Sequence, residues 1–373
     1  MKTILLISPY WKEDHRWMVS SVKLAELWQR LGFHVIAVCM GSCSRVEKIS
    51  DTLTVHYRKD VFIPDPWNYG IALGFTGYVR KIIQQEKPDY IVVNKILFWT
   101  SLCIIPLRLT GHKFILLTDA FVGMTWWPRG MIPRIGAFIY AHTLGWILML
   151  FASRLVTFFP QPPRLLHRLG IARKTCVIPT GIESGKWKTE SGKRKGDIVV
   201  SYVGRLESIK GVDDFLAATV PLKKDYPHMK IQVVGWYPST ASGQVDHPLV
   251  TEYQRDVAFT GLSDDVASVL GATDIFVMPS HSEGLSNAVM EAMSAGCACV
   301  VSDVGGNTYL VQNGISGFHY PAGDREALRA HVKRLMDDPA KRKAMGQAAQ
   351  KRIEEHFDWK KVGKMYTDFF ASL

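Results

Sequence analysis

The residues best suited to chemistry lie in the second half of the chain, where an apolar run ends and a helical pattern begins. The segment Asp274–Asn287, DIFVMPSHSEGLSN, places Glu283 and Gly284 in the loop, and the helix opens near Ser286 and Asn287. Backbone N–H groups at a helix start have no partner within the helix, and the helix dipole is positive there, which favours a phosphate. Gly284 lets the backbone approach a ligand closely.

Further polar residues could complete a site for a nucleotide-like ligand. Glu291 lies on the same helix face as Asn287, so it could hydrogen-bond a neutral polyol such as a ribose. Arg205 and Lys210 follow the carboxyl end of the apolar run Ile198–Gly204, the end at which open α/β sheets bind ligands. Taken alone, each cation is more often a solvated surface charge. Together they could neutralise one diphosphate and stabilise a leaving group without a metal.

The elements that must position these residues form two similar series. Apolar runs typical of strands covered on both faces occur in the first half at Thr3–Ser8, His34–Met40, Tyr90–Asn94, Phe114–Asp119 and Leu155–Phe159. The series restarts at Ile198–Gly204, Lys230–Gly235, Val257–Thr260, Asp274–Pro279, Ala298–Ser302 and Gly317–Tyr320. The stretches Ser20–Leu31, Val212–Leu222 and Ser286–Ala295 are long enough for crossover helices. This alternation predicts an α/β fold with two doubly wound parallel sheets.

Length, charge and cysteine usage limit the class of protein. The chain has 373 residues, which suits two domains, and the polar stretch Gly181–Gly196 predicts a linker between them. Lys and Arg exceed Asp and Glu by 22 − 10 = 12 in residues 1–180, whereas the balance is 23 − 24 = −1 in residues 181–373. A one-sided excess favours an anionic lipid surface or substrate over nucleic acid, although a merely soluble basic surface is the plain alternative.

Neither a secretory leader nor a metal site is expected. The six cysteines show no zinc-ligand spacing and fit a reducing cytoplasm. The first residues, MKTILLISPYW, resemble a buried strand rather than a signal peptide. No Asp-x-Asp, Gly-x-x-x-x-Gly-Lys-Ser/Thr or Gly-x-Gly-x-x-Gly motif is present, which excludes phosphate-loop nucleotidases and disfavours dehydrogenases.

One segment of the first half has the composition of a membrane helix. Residues 135–153, IGAFIYAHTLGWILMLFAS, carry no charge over 19 positions. A buried crossover helix, a helix in the membrane interface and a spanning helix all fit this length, although a span would separate the following strand from its sheet. Aromatic and basic residues of the kind found at lipid headgroups precede the segment, namely Trp126, Trp127, Arg129 and Arg134.

Several motifs resemble those of the retaining glycosyltransferases of family 4, which have the GT-B fold. They are GRLESIKG, the E-x7-E spacing of Glu283 and Glu291 in HSEGLSNAVMEAMSAGCACVVSDVGG, and the tail HFDWKKVGKMYTDFF. The match is specific from Ile198 to Leu373 and weaker before that.

The resemblance implies two Rossmann-like domains that face each other across a cleft. Residues 1–180 would form the acceptor-binding, membrane-facing domain, residues 181–196 the linker and residues 197–357 the nucleotide-sugar domain. Residues 358–373 would form a terminal helix that crosses back to the first domain.

The resemblance also implies roles for individual residues. Arg205 and Lys210 would hold the donor diphosphate, and Glu283 would contact the donor sugar as a catalytic residue. Backbone groups of the next residues would contact the same sugar, and Glu291 would bind the ribose. The complete donor set is Arg205, Lys210, Gly284, Leu285, Ser286, Asn287, Glu291, Gly235 and Gly261, the two last lying in segments expected to contact the base.

The chain departs from the family pattern in the first half. The loop Pro9–His15 has no glycine where members often have a Gly-Gly pair, and Thr118-Asp119 stands where many have a His-Asp pair. Asp119 is therefore the second catalytic candidate, on the acceptor side, with a turn cap as its plain alternative. His15 and His281 are further candidates, although a loop histidine is more often structural or solvated.

The sequence thus predicts a metal-independent retaining glycosyltransferase that needs no cofactor. It would move a hexosyl or N-acetylhexosaminyl group from a nucleotide sugar, with UDP and GDP both open, to a lipid-linked saccharide such as a polyprenyl-diphosphate glycan. It would work in polysaccharide biosynthesis, peripherally attached to the cytoplasmic face of an anionic bacterial membrane, and would bind no nucleic acid. The alternatives are an inactive membrane-surface binding protein of the same fold, a sugar-nucleotide epimerase and a glycogen-type synthase.

Overall fold

The computed structural model describes residues 1–13, 16–63, 69–127, 130–187, 197–235 and 248–373. Contacts divide the chain into two compact units, the first formed by Met1–Thr180 with Val362–Leu373 and the second by Gly181–Lys361. Each unit is built on a sheet of parallel strands with helices in the connections.

The first unit contains twelve strands among the described residues. They are β1 (Thr3–Ile7), β2 (Lys12–Glu13), β3 (Arg16–Trp17), β4 (His34–Gly41), β5 (Arg45–Ser50), β6 (Leu53–Lys59), β7 (Val61–Ile63), β8 (Tyr69–Ile71), β9 (Tyr90–Asn94), β10 (Ile115–Thr118), β11 (Arg154–Thr157) and β12 (Thr175–Val177). Its helices are α1 (Val19–Arg30), α2 (Phe75–Glu86), α3 (Ile104–Leu109), α4 (Met131–Tyr140), α5 (Trp146–Phe151) and α6 (Pro163–Arg168).

The strand order of the main sheet is β12-β11-β10-β9-β1-β4-β6-β5. The pairings are parallel except that β5 runs antiparallel to β6 at one edge, so the expectation of a wholly parallel sheet was wrong there. Strand β1 is buried along almost its whole length, whereas β5 is largely exposed. A long apolar run therefore identified β1, but the polar sequence of β5 gave no such signal.

The uncharged segment forms a continuous helical stretch from Met131 to Phe151, in which a π-helical turn, Ala141–Gly145, joins α4 to α5. Its inner face is buried at small and apolar residues that include Ala137, Leu148 and Met149. Only 28% of its apolar 18-residue stretch is buried, which disfavours the buried crossover helix, one of the three alternatives that the sequence leaves open.

By length and composition this is the one helix among the described residues that could cross a membrane. However, the strands on either side of it, β10 and β11, are parallel neighbours in one sheet, with Ile115 opposite Arg154. A helix crossing a bilayer would place these strands on opposite sides of it. The spanning interpretation is therefore incompatible with the sheet, and the helix instead covers the sheet with one face.

The second unit contains six strands among the described residues. They are β13 (Ile198–Val203), β14 (Met229–Val234), β15 (Val257–Gly261), β16 (Ile275–Met278), β17 (Ala298–Ser302) and β18 (Gly317–Tyr320). Its helices are α7 (Val212–Thr219), α8 (Pro248–Tyr253), α9 (Val266–Gly271), α10 (Asn287–Ser294), α11 (Asn307–Leu310), α12 (Arg325–Asp337) and α13 (Pro339–His356). The strand order, β15-β14-β13-β16-β17-β18, is parallel throughout.

The polar stretch expected to link the domains lies partly outside the described residues. Its described start, residues 181–187, belongs to the second unit. There the backbone N–H of Ile182 donates to the carbonyl of Phe357, and the N–H of Trp359 donates to the carbonyl of Ile182. This part of the stretch is therefore packed rather than a free connection.

The last helix, α14 (Trp359–Ala371), joins the first unit from Val362 onward, as the family resemblance implied. Its apolar face is buried at Val362, Tyr366 and Phe370. The ring of Trp28 on α1 packs edge-on against Tyr366 at 5.7 Å and against Phe370 at 5.8 Å between centroids. Burial of these aromatic rings contributes a large part of the free energy that docks α14 on the first unit.

We expect Tyr366→Ala to lower the free energy of unfolding by about 3 kcal/mol or more, because truncating a fully buried aromatic ring leaves a cavity. Lys364→Ala on the exposed face of the same helix is the matched control, with an expected change of about 0.5 kcal/mol or less. Urea denaturation measures both variants. Equal stability of the two would contradict the docking of α14.

Candidate active site

The predicted donor residues gather where the strand order of the second sheet reverses. Strand β13 pairs with β14 on one side and with β16 on the other. The loops that leave the carboxyl ends of β13 and β16 therefore lie side by side, at the position where open α/β sheets bind ligands. The first loop carries Arg205 and Lys210, and the second carries Glu283.

A glycine lets these two loops approach each other. Gly211 has a φ of +71°, and a Cβ there would lie 2.0 Å from the carbonyl oxygen of Pro279. The backbone N–H of His281 donates to the carbonyl of Ile209 at 2.9 Å, which ties the loops together. A side chain at position 211 would force them apart.

Lys210 and Glu283 form an ion pair across the two loops. Lys210 Nζ lies 2.7 Å from Glu283 Oε1, and their side chains are 22% and 8% exposed. The Ser280 hydroxyl also donates to Oε1 at 2.7 Å. Two of the predicted site residues thus meet in a nearly buried, hydrogen-bonded arrangement. Such a pair presents a fixed cation and a fixed carboxylate to a ligand.

Arg205 lies on the same loop but has a different partner. Its Nη1 is 3.1 Å from Glu207 Oε1, and its side chain is 51% exposed. The Tyr202 hydroxyl donates to the Arg205 carbonyl at 2.7 Å. Burial, together with the nearby Glu283 and Glu207 carboxylates, raises the pKa of Tyr202, so this hydroxyl stays a neutral donor. Arg205 and Lys210 are therefore held by two different carboxylates, Glu207 and Glu283.

Helix α10 begins shortly after Glu283 and is capped by the side chain of its N-cap residue, Ser286. The hydroxyl of Ser286 accepts a hydrogen bond from the N–H of Val289, so it stabilises the first turn of α10. The carbonyl of Gly284 accepts from the N–H of Gly306 at 2.8 Å. A Cβ on Gly305 would lie 2.0 Å from the carbonyl oxygen of Glu283. The Gly305-Gly306 pair thus holds this loop, a role that the sequence interpretation did not assign.

The remaining donor candidates surround this pair of loops. Leu285 is almost buried at 9% exposure, whereas Asn287 and Glu291 are half-buried on α10. The N–H of Gly235 donates to the carbonyl of Gly261 at 2.8 Å, which joins the ends of β14 and β15. Gly235 has a φ of +145°, and a Cβ there would lie 1.8 Å from the carbonyl oxygen of Gly204. Of the segment Gly235–Gly243, which is expected to contact the base, all residues after Gly235 lie outside the described residues.

His281 contacts a carboxylate that the sequence interpretation missed. Its Nε2 lies 2.9 Å from Asp214 Oδ2, and Arg325 Nε lies 2.6 Å from Asp214 Oδ1. Asp214 is 8% exposed in the first turn of α7, which follows Lys210 and Gly211. This contact favours a structural role for His281, because it holds the Glu283 loop against the helix that follows Lys210. An acidic residue early in a helix is common because it interacts favourably with the helix dipole, so Asp214 could not be recognised as a tether from its residue type.

The acceptor-side candidate Asp119 lies in the first unit, directly after β10. Its Oδ1 accepts from the N–H of Ala120 at 3.1 Å, as the turn-cap alternative predicts. Its Oδ2 lies 2.5 Å from Lys95 Nζ. Lys95 follows β9 and was not selected from the sequence. His15, the other candidate of this unit, lies outside the described residues.

The residues proposed to face lipid lie at the start of the apolar helix. Trp127 is 37% exposed, whereas Trp126 is half-buried and its carbonyl accepts from the N–H of Gly123 at 2.7 Å. Arg134 is exposed on α4. Arg129 lies outside the described residues.

Solved structures share this architecture over the whole chain. A sucrose-phosphate synthase from Thermosynechococcus elongatus superposes with a TM-score of 0.79 at 19% identity, and 100% of each chain is covered. HepE of Anabaena in complex with UDP superposes with a TM-score of 0.78 at 17% identity, again over 100% of each chain. The two sheets are those of the GT-B fold of glycosyltransferases.

Family models identify the chain more closely. The model described as Glycosyltransferase Family 4 matches residues 19–186, and that described as Glycosyl transferases group 1 matches residues 183–352. The chain therefore belongs to the family 4 glycosyltransferases with the GT-B fold.

Named relatives match about half of the chain. A glycogen synthase of Mycobacterium tuberculosis is 33% identical over 196 residues, which are 52% of this chain and 47% of the relative. The UDP-Gal:alpha-D-GlcNAc-diphosphoundecaprenol alpha-1,3-galactosyltransferase of Escherichia coli is 29% identical over 183 residues, 44% of this chain and 46% of the relative. The chain spans about half the length of these relatives.

We expect Asp214→Ala to loosen the Glu283 loop, because His281 and Arg325 lose their shared carboxylate. Both partners are partly exposed, so the free energy of unfolding should fall by only about 1–2 kcal/mol. Hydrogen exchange at the His281 amide should become at least about fivefold faster. Asp213→Ala, one position earlier on the same helix, is the control, and equal exchange in both variants would contradict the tether.

Proposed function

We propose that the chain transfers a sugar, with retention of anomeric configuration, from a nucleoside diphosphate sugar to a lipid-linked saccharide. The observation that carries the proposal is the Lys210–Glu283 pair at the reversal of the second sheet. A fixed cation suits the donor diphosphate, and a fixed carboxylate suits the hydroxyl groups of the donor sugar. The proposed group transferred is a hexosyl or N-acetylhexosaminyl unit.

The relatives support a nucleotide-sugar donor. HepE has been solved in complex with UDP and with UDP-glucose. The Escherichia coli relative is named for UDP-galactose as donor and a diphosphoundecaprenol-linked sugar as acceptor. In this chain we propose that Glu291 binds the ribose and that backbone near Gly235 and Gly261 lies against the base. UDP and GDP both remain candidates.

The proposed reaction needs neither a metal nor a cofactor. The bond between the anomeric carbon and the diphosphate oxygen breaks, and the acceptor oxygen bonds to that carbon on the same face. The acceptor proton passes to the departing diphosphate. Lys210 and Arg205 offset the charge that develops on this leaving group, in place of a metal ion. Glu283 holds the donor sugar, and Asp119 orients the acceptor.

An exposed apolar face in the first unit supports a lipid-linked acceptor. On the helix Met131–Phe151, large apolar side chains are 36–75% exposed, and they are Met131, Ile132, Ile135, Phe138, Ile139, Leu144, Trp146, Ile147 and Leu150. We call this set the apolar helix face. A water-soluble protein rarely exposes a contiguous apolar surface of this kind unless a partner or a membrane covers it.

The charge around the apolar helix face favours a membrane as the covering partner. Residues 1–180 hold the excess of 12 positive charges, and exposed cations such as Arg134, Arg154 and Arg168 lie on or near this helix in sequence. Each cation close to an anionic bilayer contributes on the order of 1 kcal/mol. We therefore propose peripheral attachment to the cytoplasmic face of the membrane, with the helix lying in the interface.

Replacing Lys210 or Glu291 by alanine should abolish transfer and leave the fold intact. For Lys210, loss of a preorganised charged donor to the leaving group lowers kcat by about 100-fold or more. For Glu291, the variant loses the carboxylate proposed to hold the ribose of the donor. Transfer of radiolabelled sugar from UDP- and GDP-sugars to bacterial membrane lipids measures the effect. Full activity in either variant would refute the site assignment.

Two surface variants serve as matched controls for the loss of charge. Lys224→Ala and Glu355→Ala remove exposed charges elsewhere in the second unit and should keep full activity. Activity should also persist in EDTA, since no metal takes part. Binding of nucleotide to the wild type is checked by thermal shift, because ligand at 100 times its dissociation constant stabilises by about 2.7 kcal/mol.

The membrane proposal predicts that vesicles containing anionic lipid sediment the wild type and that high salt releases it. The double variant Ile135→Gln/Ile139→Gln should stay in the supernatant, because it removes two exposed side chains from the apolar helix face. Val46→Gln/Ile49→Gln is the control, since it removes two exposed apolar side chains from β5, at the opposite edge of the sheet from β12. Sedimentation of all variants alike would refute the assignment.

A further inference from the structure

Lys95 has a backbone conformation that lysine rarely adopts. Its φ is +74°, and the only other described non-glycine residue with a positive φ is Lys87, at +43°. The left-handed region brings the Cβ of an L-residue too close to its own backbone, so the surrounding structure must compensate for the strain. At Lys95 the backbone N–H donates to the carbonyl of Leu117 at 2.8 Å, which fixes the turn onto strand β10.

The two lysines differ in their surroundings. Lys87 is an exposed residue at the end of α2, a place where a left-handed residue commonly ends a helix. The Lys95 side chain is only 15% exposed, and its ammonium lies 2.5 Å from Asp119 Oδ2. It also lies 5.9 Å from the centre of the Phe158 ring, which is 2% exposed. The strain at Lys95 therefore accompanies a specific placement of the ammonium.

The Lys95–Asp119 pair lies beside the reversal of strand order in the first sheet, at the carboxyl ends of the strands. Strand β1 pairs with β4 on one side and with β9 on the other, so the strand order reverses between β1 and β9. Lys95 leaves the carboxyl end of β9, and Asp119 leaves the carboxyl end of its neighbour β10. Open α/β sheets bind ligands at this kind of reversal. The Lys210–Glu283 pair spans the reversal of the second sheet, whereas the Lys95–Asp119 pair lies one strand further along, with Lys95 on the strand that flanks the reversal.

The chemistry of the pair indicates which ligand it would take. Asp119 is 32% exposed, and its other oxygen is held by the N–H of Ala120. An ammonium beside a carboxylate has no net charge, offers N–H donors and offers an acceptor. Neighbouring hydroxyl groups of a sugar can accept from the ammonium and donate to the carboxylate, so they use both members of the pair, whereas a phosphate could accept from the ammonium alone.

We propose that Lys95 and Asp119 together form the subsite that binds hydroxyl groups of the saccharide acceptor, with Lys95 as a specificity-determining residue. The left-handed backbone at Lys95 holds the ammonium beside Asp119 as the chain leaves the sheet. This inference rests on the proposed function in one respect, namely that the acceptor is a saccharide. It adds Lys95 to the site and gives Asp119 a defined partner.

The test uses Lys95→Gly, because glycine accepts the left-handed backbone while the ammonium is removed. Lys87→Gly is the matched control, since it makes the same change at the other left-handed lysine, outside any proposed site. Both variants should keep or raise the melting temperature of the wild type. Asp119→Asn is the third variant and removes the charge of the partner.

The probes are methyl glycosides of glucose, galactose, mannose and N-acetylglucosamine, and binding is followed by saturation-transfer NMR on the full chain. We expect the wild type and Lys87→Gly to bind at least one glycoside, and Lys95→Gly and Asp119→Asn to bind it at least tenfold more weakly. UDP or GDP binding, measured by calorimetry on the same samples, should stay within twofold in all variants.

Three results would overturn the proposal. They are glycoside binding by Lys95→Gly with wild-type affinity, no glycoside binding by the wild type, and displacement of the glycoside by inorganic phosphate, which would indicate an anion site. A wild type that binds glycosides but neither nucleotide would refute the proposed donor and leave the Lys95 subsite supported. The two proposals therefore fail independently.

Discussion

The candidate ligand sites of this protein depend on the reversal of strand order in its two sheets, whose central strands run parallel. Parallel strands present their carboxyl ends at one edge, and at a reversal the loops from two central strands diverge and leave room for a ligand. In the second unit this brings together Lys210 and Glu283, which are 73 positions apart in the chain. Their ion pair is possible only because Gly211 lets the first loop pass within contact distance of Pro279.

Once the loops meet, a network of contacts keeps the charged groups fixed. Ser280 holds the carboxylate of Glu283, and Asp214 holds His281 at the start of the same loop. Charged groups held in place before a substrate arrives need little reorganisation during reaction. The Gly305-Gly306 pair supports the loop from the next strand along the sheet. Such a site suits a reaction in which the leaving group carries most of the charge.

The first unit uses the same topology with different side chains. Lys95 and Asp119 lie there at the carboxyl ends of β9 and β10, next to the reversal between β1 and β9. The helix Met131–Phe151 connects β10 to β11 and must cover the sheet with one face. Its buried residues are small or apolar, and Lys174 closes its end by donating to the carbonyls of Leu150 and Ala152. Burial lowers the pKa of this lysine. The opposite face remains apolar and exposed.

The strand series was largely predictable because buried parallel strands have continuous apolar runs. Strands β17 and β18 coincide with the predicted bounds, and the other strands of the second unit differ from them by one residue at one or both ends. Strands β5 and β6 were missed because one is exposed and the other alternates between buried and half-buried residues. Lys95 and Asp214 were missed for another reason. A lysine at a strand end and an acidic residue in a first helical turn are common in sequences without any functional role.

The sequence by itself determined the family and the two sheets and predicted the donor-side residues, because those depend on local motifs and on the periodicity of apolar residues. Only the tertiary structure decided which charges pair, because the contacts of Lys210 with Glu283 and of Lys95 with Asp119 depend on which strands lie side by side in each sheet. It also decided that the uncharged helix exposes an apolar face rather than burying it. Composition records how apolar a segment is, but only packing shows which of its faces another part of the chain covers.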